Sequence, residues 1–497
     1  MALNEKVDGS AVAAITDGKA AISHVERADS DIEGYDKDAA FGGTEARRRL
    51  EKKLLLKVDL RMSVLVVIYI LNYIDRNNAA AARLRGFESD LKLTGQQFPT
   101  ILSILYVGYT IMQVPSNMFL NYIGKPSIYL PGCMIVWGVI SVLTGITKNF
   151  VGALLTRFFL GFIEAAFFPG AVFLLSKWYK REELGLRTAI LYVGNLSSNA
   201  FGALMASGIL SGMEGKLGHA AWRWLFYIEG GITIAIAIIA MFILPDFPAT
   251  STWLSPEERA LAMKRMEEDG GMGVGDEGQT EGQGNGLMLA ISDWRIWLLA
   301  IALTSQTVAL SFTIYFPTLT ATLGYNRTAT LLLCAPPWIF SAIETFIVTR
   351  HSDKAQTRFY HIVIPWFVGI IGFVISISTM NTAARYISLF LMAQVFAGLV
   401  VFLAWISNSF PRPPSKRAVA LALVNGVSQL GSLSGSYVWP KAWGPTYRNS
   451  YGICIATSGL AIFLCFLFKL HLDSLNRKAQ AEEEANGVEK PGFRYLV

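Results

Sequence analysis

MSVLVVIYILNYIDRNNAAAA, residues 62–82, decides the fold class. Coiled as a helix at 1.5 Å per residue, it spans the ~30 Å hydrocarbon core of a bilayer. It also carries Asp75 and Arg76 deep in its apolar length, where an ionised group costs several kcal/mol unless paired or hydrated. The stretch therefore predicts a membrane helix buried among other helices, not a lone anchor. Working outward, similar runs recur through most of the 497 residues. Hydrophobic residues make up 53% and charged residues 16%, with mean hydropathy +0.41. Soluble domains carry about 25% charge, so this chain lacks the polar surface of a soluble enzyme. The net charge of +6 lies in short clusters beside apolar runs, as membrane flanks do, and does not point to nucleic acid. Cys133, Cys334, Cys454 and Cys465 all fall in apolar runs without CxxC spacing, and the five histidines are scattered. No metal site, disulfide framework or organic cofactor is expected.

Twelve spans are expected, making an all-α membrane protein of two six-helix bundles. Spans 1–6 lie near 62–82, 97–121, 128–147, 151–175, 187–211 and 223–244. Spans 7–12 lie near 295–317, 329–349, 362–380, 385–409, 416–438 and 450–470. The domain plan is a disordered tail (1–57), a first bundle (58–246), a linker (247–293), a second bundle (294–472) and a short tail (473–497). Ser255-Pro-Glu-Glu-Arg259 is a helix start inside the linker. Gly270–Gly286 is rich in Gly, Glu and Gln and reads as disordered. Basic residues concentrate before span 1 and between spans 4 and 5, 8 and 9, and 10 and 11. That bias places both termini and the linker in the cytoplasm. Arg83, Arg85 and Lys92, after span 1, break the pattern.

The halves repeat. Glu164, Arg187, Asn195 and Asn199 recur 230 residues later as Gln394, Arg417, Asn425 and Gln429, with intervals of 23, 8 and 4 in both sets. A parallel six-plus-six repeat fits a solute carrier built from two bundles around a membrane-normal pseudo-axis.

Few ionisable residues lie deep in spans. Asp75, Arg76 and Arg157 are expected at similar depth, about 6–10 Å outside the midplane, with Glu164 nearer the centre. Arg157 and Glu164 are seven residues apart and share a helix face. In one reading Arg76 and Arg157 line a cavity and attract an anion, since a guanidinium grips a carboxylate bidentately. Glu164, with Asp75 beside it, then carries the proton. In the other, Asp75–Arg157 and Arg76–Glu164 are ion pairs that lock two helices. Glu229 is expected to pair with Arg223, with Trp222 and Trp224 in an interfacial aromatic belt. Glu344 is expected to form a cytoplasmic gate pair with Arg350. Asn195, Asn199, Asn425 and Gln429 either bond neighbouring helices or line the solute path.

Several motifs together resemble the major facilitator superfamily, and within it the anion:cation symporter family as found in fungi, the allantoate, nicotinate, pantothenate and biotin permease group. They are Tyr73-Ile-Asp-Arg-Asn-Asn78, Val114-Pro-Ser-Asn117, Arg157-x3-Gly161-x2-Glu164-x4-Pro169-Gly170, Trp222-Arg-Trp-Leu-Phe226 and Ala404-Trp-Ile-Ser-Asn408. Ala81 stands where that group usually has Asn. The superfamily's acidic loop motif is degenerate at Asn121-Tyr-Ile-Gly-Lys125 and retained at Ser352-Asp-Lys354, which assigns an inward gate to Asp353. The resemblance extends to vesicular glutamate and sialic acid carriers, in which a span-1 Arg and a span-4 Arg–Glu pair are functional. It implies a plasma-membrane monomer taking up a small organic anion with protons by alternating access, driven by the proton gradient. Efflux of a secondary metabolite and a non-transporting nutrient sensor are the alternatives.

Overall fold

In the computed structural model the described residues are 41–271, 288–410, 414–485 and 494–497. The disorder expected for 1–57 and for Gly270–Gly286 lies largely outside them. Eight described helices are each long and apolar enough to cross a membrane. They are Pro126–Gly145, Phe150–Trp178, Ala221–Ile243, Trp294–Thr313, Arg327–Ala355, Phe359–Ser378, Thr382–Ser409 and Arg448–Ala485, which are spans 3, 4, 6, 7, 8, 9, 10 and 12. Spans 1, 2, 5 and 11 are Thr44–Arg83, Gln97–Ile123, Arg181–Gly212 and Pro414–Gly435. Spans 1, 2, 5 and 11 all pack against the other bundle. Span 5 packs on span 8 and span 2 on span 11.

Within the first bundle the main packed pairs are spans 1 and 5, 2 and 4, and 3 and 6. In the second they are 7 and 11, 7 and 12, and 9 and 10. Between membrane helices there is little hydrophobic drive, so close backbone approach supplies the packing. A methyl group on Gly161 would run into the Leu105 carbonyl, and one on Gly431 into Thr307. Span 4 breaks at Ala165–Ala166. Pro169 has no N–H for the Ala165 carbonyl, which a continuous helix would require. Span 10 breaks at Gln394, the repeat partner of Glu164, so the internal symmetry extends to the kink.

Three boundaries differ from expectation. Span 1 starts at Thr44, so 44–57 are helical and not part of a disordered tail. The linker helix Pro256–Gly271 holds this extension: Glu268 accepts from Arg47 and Lys180, Glu258 from Lys57, and Arg265 bridges Glu51 and Glu183. Arg265 is almost wholly buried, so this is a packed interface and not surface decoration. Span 12 continues to Ala485. Beyond it the end of the tail folds back: Tyr495 exchanges hydrogen bonds with Asn476, and Trp405 donates to the Leu496 carbonyl.

Each bundle has a clamp on the face that carries the termini. Arg187 of span 5 pairs with Asp59 of span 1 at 3.2 Å, and Lys416 of span 11 pairs with Asp293 ahead of span 7 at 2.7 Å. On the opposite, far face the bundles meet. Tyr437 lies 3.1 Å from both Ser103 and Thr100, and Ser207 donates to the Thr328 carbonyl. Arg83 pairs with Glu88 at 2.8 Å and stacks over Phe98 and over Tyr315 of the other bundle. Of the misplaced basic residues after span 1, Arg83 thus belongs to this seal.

Candidate functional site

Between the bundles lies a cavity of about 170 Å³. Its first-bundle wall holds Tyr69, Tyr73, Arg76 and Asn77 from span 1, Tyr106 and Tyr109 from span 2, Phe168 from span 4, and Tyr192, Asn195 and Asn199 from span 5. Its second-bundle wall includes Thr307 and Ser311 from span 7, Phe396 from span 10, and Asn425, Ser428 and Gln429 from span 11. Among the described lining residues Arg76 carries the only charge.

Arg76 donates from Nε to Glu164 Oε2 at 3.0 Å. Its guanidinium lies 4.8 Å from the Tyr73 ring centroid and 4.9 Å from that of Tyr109. The Arg76 side chain retains 11% exposure and Glu164 none. The second Glu164 oxygen has no hydrogen-bond partner. The arginine is therefore the exposed member of the pair and the glutamate its buried support. A guanidinium has five N–H donors, so one bond to Glu164 leaves donors for an anion in the cavity.

Arg157 does not line this cavity, contrary to the binding role expected from its spacing. It is 1% exposed and donates to the backbone carbonyls of Asp75 and Arg76 and, at 2.6 Å, to Asn78 Oδ1. It does share a face with Glu164, but that face is packed on span 1. Asp75 is likewise not a wall residue. Its carboxylate accepts from Ser141 at 2.9 Å and Thr233 at 2.8 Å, inside the first bundle. Asp75 thus points into the first bundle, while its neighbours Arg76 and Asn77 face the cavity. Of the two ion pairs expected as locks, Arg76–Glu164 forms and Asp75–Arg157 does not.

Asn195, Asn199, Asn425 and Gln429 all line the cavity, and Asn199 also accepts from Asn77 at 3.1 Å. The side chain of their repeat companion Arg417 lies outside the described residues. Glu344 makes no bond to Arg350: its Oε2 is buried without a partner, so the expected gate pair is absent in this conformation. Asp353 pairs with Arg358 at 2.6 Å within its own bundle and does not bridge the two. Arg223 donates to the Gly145 and Thr147 carbonyls, not to Glu229. Trp222 is fully buried and donates to Asp90, so it belongs to no interfacial belt. The tyrosines escaped the sequence reading. Their signal was the i, i+4 and i, i+3 recurrence at 69/73 and 106/109, the first pair on the span that carries Arg76.

A family model described as the Major Facilitator Superfamily matches residues 65–436. The chain belongs to the Major Facilitator Superfamily. The fungal "MFS-type transporter cnsO" of Penicillium expansum is 31% identical over 477 residues, 90% of each chain. A "Putative tartrate transporter" of Agrobacterium vitis is 29% identical, covering 78% of this chain and 87% of its own. Among solved structures, a D-xylose-proton symporter superposes with TM-score 0.64 at 14% identity, over 83% of this chain and 98% of its own. A bacterial homolog of the lysosomal transporter Spinster, inward-facing and unoccupied, gives 0.63 at 16%, over 83% and 96%. Superfamily membership and fold make this chain a multi-pass membrane transporter of small molecules.

Proposed function

We propose that the chain takes up a small organic anion together with protons, as a plasma-membrane monomer of the anion:cation symporter branch with both termini in the cytoplasm. One observation carries the reading: among the described residues lining the central cavity the single charge is an arginine, and it is bonded to a buried glutamate. The anion and Glu164 compete for the same guanidinium. Protonating Glu164 frees Arg76 for a carboxylate, and losing the proton reclaims Arg76 and expels the anion. That competition couples the two fluxes without any further moving part. The sealed far face then corresponds to the inward-facing state, and rocking of the bundles exchanges that seal for one around Asp353 and Glu344.

The aromatic first-bundle wall favours an acid with a flat or apolar body. Asn425, Ser428 and Gln429 supply donors and acceptors for its polar substituents. The tartrate transporter among the relatives supports a carboxylate substrate class. The test is uptake of labelled carboxylates, tartrate and nicotinate among them, into vesicles containing the purified protein. Accumulation should collapse with a protonophore and be lost in Arg76→Ala. Accumulation indifferent to both contradicts the reading, and export of a metabolite without accumulation of any acid favours efflux.

A further inference from the structure

Glu229 of span 6 is 1% exposed, and neither carboxyl oxygen has a hydrogen-bond donor. It lines a second, smaller cavity of about 50 Å³, together with Asn77, Asn78, Ser198 and Asn199 of the first bundle and Thr313 and Cys334 of the second. Asn77, Asn199 and Thr313 also line the central cavity, so the two spaces share a wall. The charged groups facing Glu229 are Asp75 from span 1 and Arg157 from span 4. Neither neutralises it. Asp75 is an acid, and Arg157 already donates to two carbonyls and to Asn78. The Asn78 amide is the nearest donor, close enough to favour the Glu229 carboxylate but outside hydrogen-bond geometry.

An ionised carboxylate buried without donors costs several kcal/mol, and protonation removes most of that cost. The niche is mostly apolar but has room for water beside the Glu229 carboxyl and adjoins the solute cavity, which gives the proton an entry. We propose that Glu229 is a second proton-binding site, adjoining the Arg76–Glu164 site and occupied by a proton in this conformation. The step is a simple transfer. Hydronium in the niche gives up one O–H bond, an O–H bond forms on a Glu229 oxygen, and water remains; release is the reverse. Asn77 and Asn199, bonded to each other, line both cavities, so Glu229 lies one shared wall away from the anion site. Its proton is therefore placed to enter the same transport cycle, which rests on the proton-coupled reading above.

Two measurements test it. Infrared spectra of the purified protein need no substrate: the wild type should show a protonated carboxylic-acid carbonyl band that Glu229→Gln loses and Glu229→Asp shifts. In vesicles carrying tartrate or nicotinate, Glu229→Gln should move one proton fewer per acid than the wild type while keeping acid-for-acid exchange. A wild type whose acid flux ignores the proton gradient overturns the proposed function itself. A proton-driven wild type whose infrared band and proton-to-acid ratio are unchanged in Glu229→Gln overturns this proposal alone. Should Glu229→Gln fail to fold, an unshifted band in Glu229→Asp overturns it equally.

Discussion

The two bundles share a scaffold and differ in chemistry. Both carry a kink at the same repeat position, both hold the first and fifth helices together by an acid–base clamp, and both send asparagine or glutamine from the fifth helix into the cavity. In the first bundle the kink carries Glu164 bonded to Arg76; in the second it carries neutral Gln394. Asp75, Arg157 and Glu229 are buried in the first bundle as well. The second bundle's cavity wall is hydroxyls, amides and apolar side chains. Fold repetition thus preserves what holds helices together. Among the described residues, the charged pair at the central cavity comes from the first bundle alone.

This contrast can be broken by substitution. Arg76→Ala should weaken carboxylate binding about a hundredfold, roughly 3 kcal/mol, because charged hydrogen bonds to the anion disappear. Calorimetric titration with a transported acid checks it. Arg157→Ala should act differently although the residue is only one helix away. It should lower stability by about 2 kcal/mol through lost charged hydrogen bonds, seen in thermal unfolding, while surviving protein still binds the acid. If Arg157→Ala folds normally and loses binding selectively, the assignment of Arg157 to the scaffold is wrong.

On the second-bundle side the effects should be smaller. Gln429→Ala or Asn425→Ala should cost about tenfold in affinity, the worth of one neutral hydrogen bond. Loss as deep as that of Arg76→Ala would mean that both walls contribute equally. The smallest effect concerns the clamp. Burial pulls the Asp293 carboxyl upward, but hydrogen bonds from Arg295 and Lys416 outweigh it and hold it down at about 2. A carboxyl held below its ordinary 3.8 stabilises the fold above that value and loses the contribution as pH falls toward about 2. Asp293→Asn should therefore cost about 1 kcal/mol at neutral pH and nothing extra in strong acid, as unfolding at both pH values would show.

Much of the fold was legible because hydropathy and charge bias are properties of the sequence itself. Twelve spans and the repeat follow from residue spacing. The site was legible only in part. Spacing places Arg157 and Glu164 on one helix face, but it does not say whether that face meets span 1 or open space. The helical stretch 44–57 was hidden because its partners, Glu258, Arg265 and Glu268, are some two hundred residues away. The far-face seal was hidden for the same reason, though the excess of positive charge after span 1 marked it.

The central claim is that an anion and Glu164 compete for Arg76. Carboxylate affinity of the wild type and of Glu164→Gln, each measured across acidic to basic pH, tests it most directly. Wild-type binding should strengthen on acidification, while Glu164→Gln should bind tightly with no such dependence. A Glu164→Gln protein whose affinity follows the same pH curve as the wild type would contradict it.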